Sequence, residues 1–275
     1  MKILDRQLER MIAEDILAAI SQGNYNSASE AIRQVLEILY TKIPDARRTS
    51  YGRVFTIKVL SEYLFRQLNT PEYELFENAS ILFNECRENW CKGVALGVLS
   101  LFGLENYHGV LPHFEIAARS PHWEIREFAQ MFFRKLIQKY PQPIREYLLV
   151  LVNSDDPNIR RFVAETLRPV QENQWIYDKP DYSLTILKHL FSEPVRYPRT
   201  SVGNNLSDLS RRLPDLIFEV VEELVERTNP NSFWIAYRAC RNLVKKDPTK
   251  VMDILQIDEY RYKNRVHRRR DLQAR

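Results

Sequence analysis

Apolar residues recur at helical spacing along nearly the whole chain. In "DDPNIRRFVAETLRPV" Ile159, Phe162, Val163, Thr166 and Leu167 fall on one helical face, and two acids precede Pro157 in the first turn. "SASEAIRQVLEILY" has the same amphipathic spacing; Ser27 and Glu30 predict a capping box at its start, and Pro44 follows its end. "MKILDRQLERMIAEDILAAI" carries charges through its apolar positions, the pattern of an amphipathic helix and not of a signal peptide. No run alternates convincingly as a strand.

The helices repeat. "SPHWEIREFAQMFFRKL", "SDDPNIRRFVAETLRPV", "RYPRTSVGNNLSDLSRR" and "PNSFWIAYRACRNLVKK" align so that Phe132, Leu167, Leu206 and Leu243 coincide, at intervals of 35, 39 and 37 residues. A weaker copy, "NWCKGVALGVLSLFG", places Val98 another 34 residues earlier. Further helices, such as "PIREYLLVLV" and "YSLTILKHLF", lie between these, so each unit is a helical hairpin and the period is that of an α-solenoid. The expected fold is all-α, an α-α superhelix (right-handed solenoid) of HEAT-like hairpin repeats. One helical domain is expected over 1–255, with divergent helices over 1–110 and recognisable repeats over 111–255. A basic tail over 256–275 follows. In register, Gly203 falls where Ala129 and Ala164 fall, which predicts close helix approach there.

Composition narrows the class. The 275 residues are 44% apolar and 28% charged, with only seven glycines, as in a globular protein that is not rich in strands or loops. No apolar run is long enough to span a membrane. Three cysteines, Cys86, Cys91 and Cys240, suggest neither a disulfide framework nor a zinc site, and point to a reducing cytoplasm. His108 and His113 have no third partner, so no metal is expected.

The net charge of +4 is uneven: residues 261–275 carry +6, leaving about −2 elsewhere. The tail reads either as a solvated disordered end or as an arm that holds phosphates. The second helices, expected to line the concave side, carry Arg126, Arg160, Arg161, Arg199 and Arg238, then Arg168, Arg211, Arg212, Arg241 and Lys245. Arg238, Arg241 and Lys245 form one stripe. Arginine matches phosphate as a planar fork, and Asn204, Asn205 and Ser207 offer neutral phosphate contacts. Repeat arginines also tie neighbouring repeats together, and Arg126, Arg160 and Arg238 are open to that reading. Acids interleave with these bases: Glu124, Glu127, Glu165, Asp178 and Asp181. Carboxylates there suit a cationic base or transition state, and Trp123 and Trp175 offer flat faces for cation–π contact or, equally, for core packing.

Three stretches in order, "PNIRRFVAETLRP", "SVGNNLSDLSRRLPDLI" and "FWIAYRACRNLVKKDP", resemble the HEAT-like alkylpurine DNA glycosylases of the AlkC/AlkD superfamily, nearer the AlkC branch. The resemblance covers roughly residues 115–250. It implies hydrolysis of the N-glycosidic bond of cationic N-alkylated bases in double-stranded DNA, with the backbone held in the basic groove and no cofactor. It places Arg161 and Glu165 on the arginine and glutamate of the family's "RRLASE". It places Trp175 near the tryptophan of "RPRLPW", although "RPVQENQW" is two residues longer here. A catalytic acid one turn later corresponds to Asp178, with Lys179 and Asp181 beside it. Where the family has a further glutamate this chain has His122, with Glu124 two residues on. The expected catalytic set is Asp178, Trp175, Glu165 and Glu124. The expected DNA-binding set is Arg126, Arg161, Arg168, Arg199, Asn204, Asn205, Arg238, Arg241 and Lys245. A DNA-binding relative without activity and a HEAT-like protein scaffold are the alternatives.

Overall fold

A computed structural model of the chain describes residues 3–48, 52–68 and 72–269. Among them are fifteen α-helices and one two-stranded hairpin. They cluster into two compact units, Met1–Lys139 and Tyr140–Arg275.

In the first unit, α1 (Arg6–Met11) runs through a π-helical stretch at Ile12–Leu17 into α2 (Ala18–Ser21). Leu8, Ile12, Ile16 and Ile20 are buried at a spacing of four, as the amphipathic pattern requires. The next helix, α3 (Tyr25–Thr41), starts earlier than expected. Its N-cap is Asn24, whose side chain accepts from the Ser27 amide, and Glu30 instead accepts from Arg33 and Gln34. The Asn24 side chain satisfies the orphan amide, so no capping box forms. Then come α4 (Gly52–Gln67), α5 (Glu72–Glu85), α6 (Asn89–Phe102), α7 (Tyr107–Arg119) and α8 (Trp123–Lys139).

Helices α4, α6 and α8 pack side by side. A Cβ on Gly97 of α6 would lie 2.2 Å from the Ser61 hydroxyl of α4, so only glycine permits this approach. Ser61 uses the closeness to donate to the Val94 carbonyl, and Ser100 donates to the Phe132 carbonyl of α8. At the α5–α6 corner Cys86 and Cys91 are joined as a disulfide, with Cα atoms 6.2 Å apart. The expectation of no disulfide is corrected here: a helix end and the next helix start face each other across a short turn.

The second unit contains α9 (Pro141–Leu151), α10 (Pro157–Thr166), α11 (Pro180–Leu187), α12 (Arg196–Leu209), α13 (Pro214–Glu226), α14 (Pro230–Leu243) and α15 (Pro248–Leu255). All of these but α12 begin with proline at the first helical position, the arrangement that costs no amide bond. The second helices α10, α12 and α14 form one continuous row. The register residues Val98, Phe132, Leu167, Leu206 and Leu243 are all buried, on or at the ends of the second helices.

The close-approach reading of Gly203 holds. A Cβ there would sit 2.9 Å from the Cβ of Arg238, on the stiff part of that side chain. The basic tail, by contrast, is ordered as far as it is described. Strands β1 (Glu259–Tyr262) and β2 (Arg265–Arg268) pair antiparallel around Lys263 and Asn264, and residues 270–275 lie outside the described residues. Tyr260 is buried and stacks on Tyr237 of α14, its hydroxyl donating to the Tyr237 carbonyl, while the Tyr237 hydroxyl donates to the Arg261 carbonyl. Two tyrosines thus dock a segment whose charge hides any strand alternation. Among the described residues no helix is long and apolar enough to cross a membrane.

Candidate nucleic-acid interface

The row of second helices in the second unit is laced by a chain of guanidinium and carboxylate groups. Glu165, on α10, is 5% exposed. It accepts from Ser201 of α12 at 2.6 Å and from Arg168 at 3.0 Å. Burial works against its charge, but Arg168 and Arg161 outweigh burial and hold its pKa below the usual carboxylate value. Asp208, at the end of α12, is also 5% exposed and joins three arginines: Arg168 at 2.5 Å, Arg241 at 3.1 Å and Arg211 at 3.3 Å. Burial likewise opposes the charge on Arg168, and Glu165 and Asp208 raise its pKa nonetheless.

A second ladder runs at the start of the same helices. The Arg161 guanidinium lies 4.6 Å from the Tyr197 ring centre, and Arg199 lies 5.1 Å from that of Trp234. Each arginine therefore stacks on an aromatic one repeat later. Arg238 also approaches Trp234, at 5.4 Å, and donates to the Asn204 side-chain oxygen at 2.9 Å. Arg241 donates to that same oxygen and to Ser207.

Several arginines serve the repeat itself. Arg160 donates to the Ser154 and Asp155 carbonyls and forms a two-pronged pair with buried Glu193, at 2.7 and 2.9 Å. In the first unit, Arg126 donates to the Ser120 and Pro121 carbonyls in the same manner. Arg199 donates to the Pro194 carbonyl and the Asn231 side chain. These residues tie the corner before a second helix to that helix, and Arg160, through Glu193, also reaches the next repeat, the structural alternative named for it.

One expected DNA contact, Asn205, is corrected. Asn205 is fully buried and donates to the Ala164 carbonyl at 2.9 Å. Asn173, outside the expected set, is fully buried too and donates to the Thr166 carbonyl at 2.7 Å. Both amides thus satisfy carbonyls in the last turn of α10, where intrahelical donors run out. Arg161 is only 7% exposed and supports the charge of Glu165. Arg168, Arg199, Asn204, Arg238 and Arg241 stay half-buried and Lys245 is exposed.

Of the expected catalytic set, Glu165 is enclosed by its ion pairs, and half-buried Glu124 of the first unit accepts from Asn89 at 3.4 Å. Trp123, of the same unit, is 62% exposed. Trp175 and Asp178 lie on a 3-10 stretch, Gln171–Tyr177 with Asp178 closing it, kinked at Asn173. Trp175 is half-buried edge-on to Tyr182, with centroids 4.9 Å apart. Asp178 is exposed. The Tyr177 hydroxyl donates to the Asp208 carbonyl, and Arg212 lies over the Tyr177 ring, so the stretch is braced against the end of α12. Among the described residues no three His, Cys, Asp or Glu groups converge as metal ligands would.

Sequence reasoning missed Asp208, Ser201, Tyr197 and Trp234. Asp208 stands in the quoted repeat stretch, and an acid one turn before two arginines was the available signal.

No family model matches the chain. The uncharacterized protein YhaZ of Bacillus subtilis is 32% identical over 105 residues, which are 36% of this chain and 29% of YhaZ, so the match spans under a third of that relative. Among solved structures, Pseudomonas fluorescens alkylpurine DNA glycosylase AlkC, bound to DNA containing an abasic site analog, matches with a TM-score of 0.55 at 18% identity. That match covers 90% of this chain and 64% of AlkC. AlkD2 of Streptococcus mutans matches with a TM-score of 0.56 at 16% identity, over 76% of this chain and 98% of AlkD2. The protein smu.31 of the same organism matches with a TM-score of 0.55 over the same shares. The chain therefore has the all-α, HEAT-like repeat fold of the AlkC and AlkD2 proteins.

Proposed function

We propose that the protein is a DNA alkylation repair glycosylase that removes cationic N-alkylated bases from double-stranded DNA. The observation that carries this reading is the braced 3-10 stretch that presents half-buried Trp175 three residues before exposed Asp178. The DNA partner is supported by likeness in fold to AlkC, a DNA-bound protein in its solved structure. In this reading the strand runs past the arginine row of α10, α12 and α14, with Arg168, Arg241 and Lys245 toward its phosphates, and the protein works beside the chromosome in the cytoplasm.

The chemistry is simple in its balance. The N-glycosidic bond breaks and its electron pair goes to the cationic base, which leaves neutral. Water adds at the anomeric carbon and gives its proton to the Asp178 carboxylate, which also opposes the positive charge that develops on the sugar. The Trp175 ring offers a negative face to the cationic base.

A second reading has its own observation. Glu165 and Glu124, the two other expected carboxylates, are engaged with neighbours, so a DNA-binding protein without glycosylase activity is the alternative. The discriminating experiment incubates the protein with methylated duplex DNA and identifies freed bases by mass spectrometry, beside Asp178→Asn and Trp175→Ala. Release that Asp178→Asn abolishes supports the enzyme with this acid. Release that survives moves the acid elsewhere. Salt-sensitive binding with no release supports the second reading.

A further inference from the structure

The docked hairpin gives the second unit a feature that the glycosylase reading does not use. Its register sets Tyr260 opposite His267 and Tyr262 opposite Arg265, on one face, with Glu259 opposite Arg268 and Arg261 opposite Val266 on the other. The alternation sorts charge by face. On the second face Glu259 pairs with Arg261 at 2.8 Å and with Arg268 at 2.7 Å. Beyond β2, Arg269 pairs with Asp253 and Asp258. The acids near the hairpin are thus spent away from the Tyr260–Tyr262 face.

That face and the end of α14 line a cavity of about 480 Å³ that is open to solvent on one side. Its charged lining is Arg211, Arg241, Lys245, Lys263 and Arg265, with His267 as a further titratable group, and among the described residues no aspartate or glutamate lines it. Arg241 and Arg211 lean on Asp208, but that one carboxylate is shared with Arg168 as well. Arg168 is paired with Glu165 too, so three guanidiniums meet two carboxylates, and one positive charge is left over before Lys245, Lys263 and Arg265 are added. Like charges gathered round one cavity repel, and an anion in the cavity offsets that cost. The cavity's volume is in the range of small-ligand sites. Arginine forks and lysine ammoniums together match phosphate oxygens.

We propose that the cavity between the C-terminal hairpin and the end of α14 binds a phosphate group, carried either by a nucleic-acid strand or by a free nucleotide. For the strand source the site rests on the DNA-binding reading above, and it extends the footprint beyond the helical row onto the hairpin. The nucleotide source stands without that reading.

The test uses the full chain and the variant Lys263→Ala/Arg265→Ala, neither residue being part of the helical row. Arg261→Ala is the control: it removes one charge from the same hairpin on the opposite face. Circular dichroism melting of each variant checks that the hairpin remains docked. One arm titrates inorganic phosphate and adenosine monophosphate by calorimetry. The other measures duplex DNA affinity by fluorescence anisotropy from low to moderate salt.

If the source is a strand, the double variant binds duplex at least several-fold more weakly, and its log–log salt slope is shallower by about one for each phosphate it no longer neutralises. Arg261→Ala keeps the wild-type slope. If the source is a nucleotide, adenosine monophosphate binds the wild type and is lost in the double variant, with the DNA slope unchanged. A folded double variant that matches wild type in both arms overturns the proposal. A wild type that binds nucleotide but no DNA keeps the pocket and removes the glycosylase reading, so the two failures are separable.

Discussion

The Ser201 hydroxyl donates to the Glu165 carboxylate at 2.6 Å, bridging α12 and α10. Through Arg168 the same carboxylate connects to Asp208 and so to Arg241 on α14. One buried charge therefore registers three successive second helices. Glu165→Gln keeps the shape and removes the charge. It leaves Arg161 and Arg168 with less opposing charge, and the expected loss is about 3 kcal/mol of stability, as for a broken buried pair. Urea unfolding at neutral pH measures it, and a loss below a few tenths of a kcal/mol would sink the keystone role.

The same residue predicts an acid effect. Its folded pKa is depressed, so its contribution is fully present above the unfolded value of about 4.3 and is lost as pH falls through the lower folded value. Wild type is expected to lose stability faster than Glu165→Gln below pH of about 4. Parallel acid limbs for the two proteins would mean that Glu165 is not held ionised.

Gly203 gives a packing prediction that runs against helix propensity. Alanine in a helix interior gains about 1 kcal/mol over glycine. Here its Cβ would meet the Arg238 Cβ at 2.9 Å and its Cγ at 3.1 Å. The stem cannot swing clear without dropping the bond to Asn204. Gly203→Ala is expected to destabilise by a net of roughly 1–2 kcal/mol, the range of mild overpacking. A melting temperature that rises would show that α14 shifts freely.

These cases mark what the sequence made legible. The repeat came through because Phe132, Leu167, Leu206 and Leu243 are buried by local helical periodicity, and Gly203 because it replaces alanine in that register. Asn205 was misassigned because its partner, the Ala164 carbonyl, is 41 residues away and is a backbone atom that no side-chain pattern records. The hairpin was missed because charge on both strands conceals the alternation, and two tyrosines, not an apolar stripe, hold it down. At the candidate site, Trp175 and Asp178 were paired through the family resemblance. The burial of Glu165 depends on the next helix, which spacing does not give.

Gln256 closes α15 in the left-handed region, with φ of 53°. A side chain there is strained, while glycine is not. Gln256→Gly is expected to stabilise by about 0.5–1 kcal/mol, once the greater freedom of glycine in the unfolded chain is set against the relieved strain. Thermal unfolding measures it. A decrease would mean that the Gln256 side chain contributes contacts that outweigh the strain.

Asn204 and Asn205 are adjacent, and their substitutions should separate cleanly. Asn205→Ala removes a fully buried amide that caps α10, and the expected cost is about 1–3 kcal/mol, with DNA affinity unchanged while the protein is folded. Asn204 is half-buried and its oxygen accepts from both Arg238 and Arg241, holding two guanidiniums in place on the helical row. Asn204→Ala frees both. Its cost in stability is expected to be smaller, about 1 kcal/mol, because the arginines retain water as a partner. Its cost in duplex affinity is expected to be several-fold, because disordered side chains must be ordered again on binding. Melting curves and fluorescence anisotropy on the same two preparations read both effects. If Asn205→Ala weakens DNA binding in the folded protein and Asn204→Ala does not, the division between a capping amide and an arginine-positioning amide is wrong.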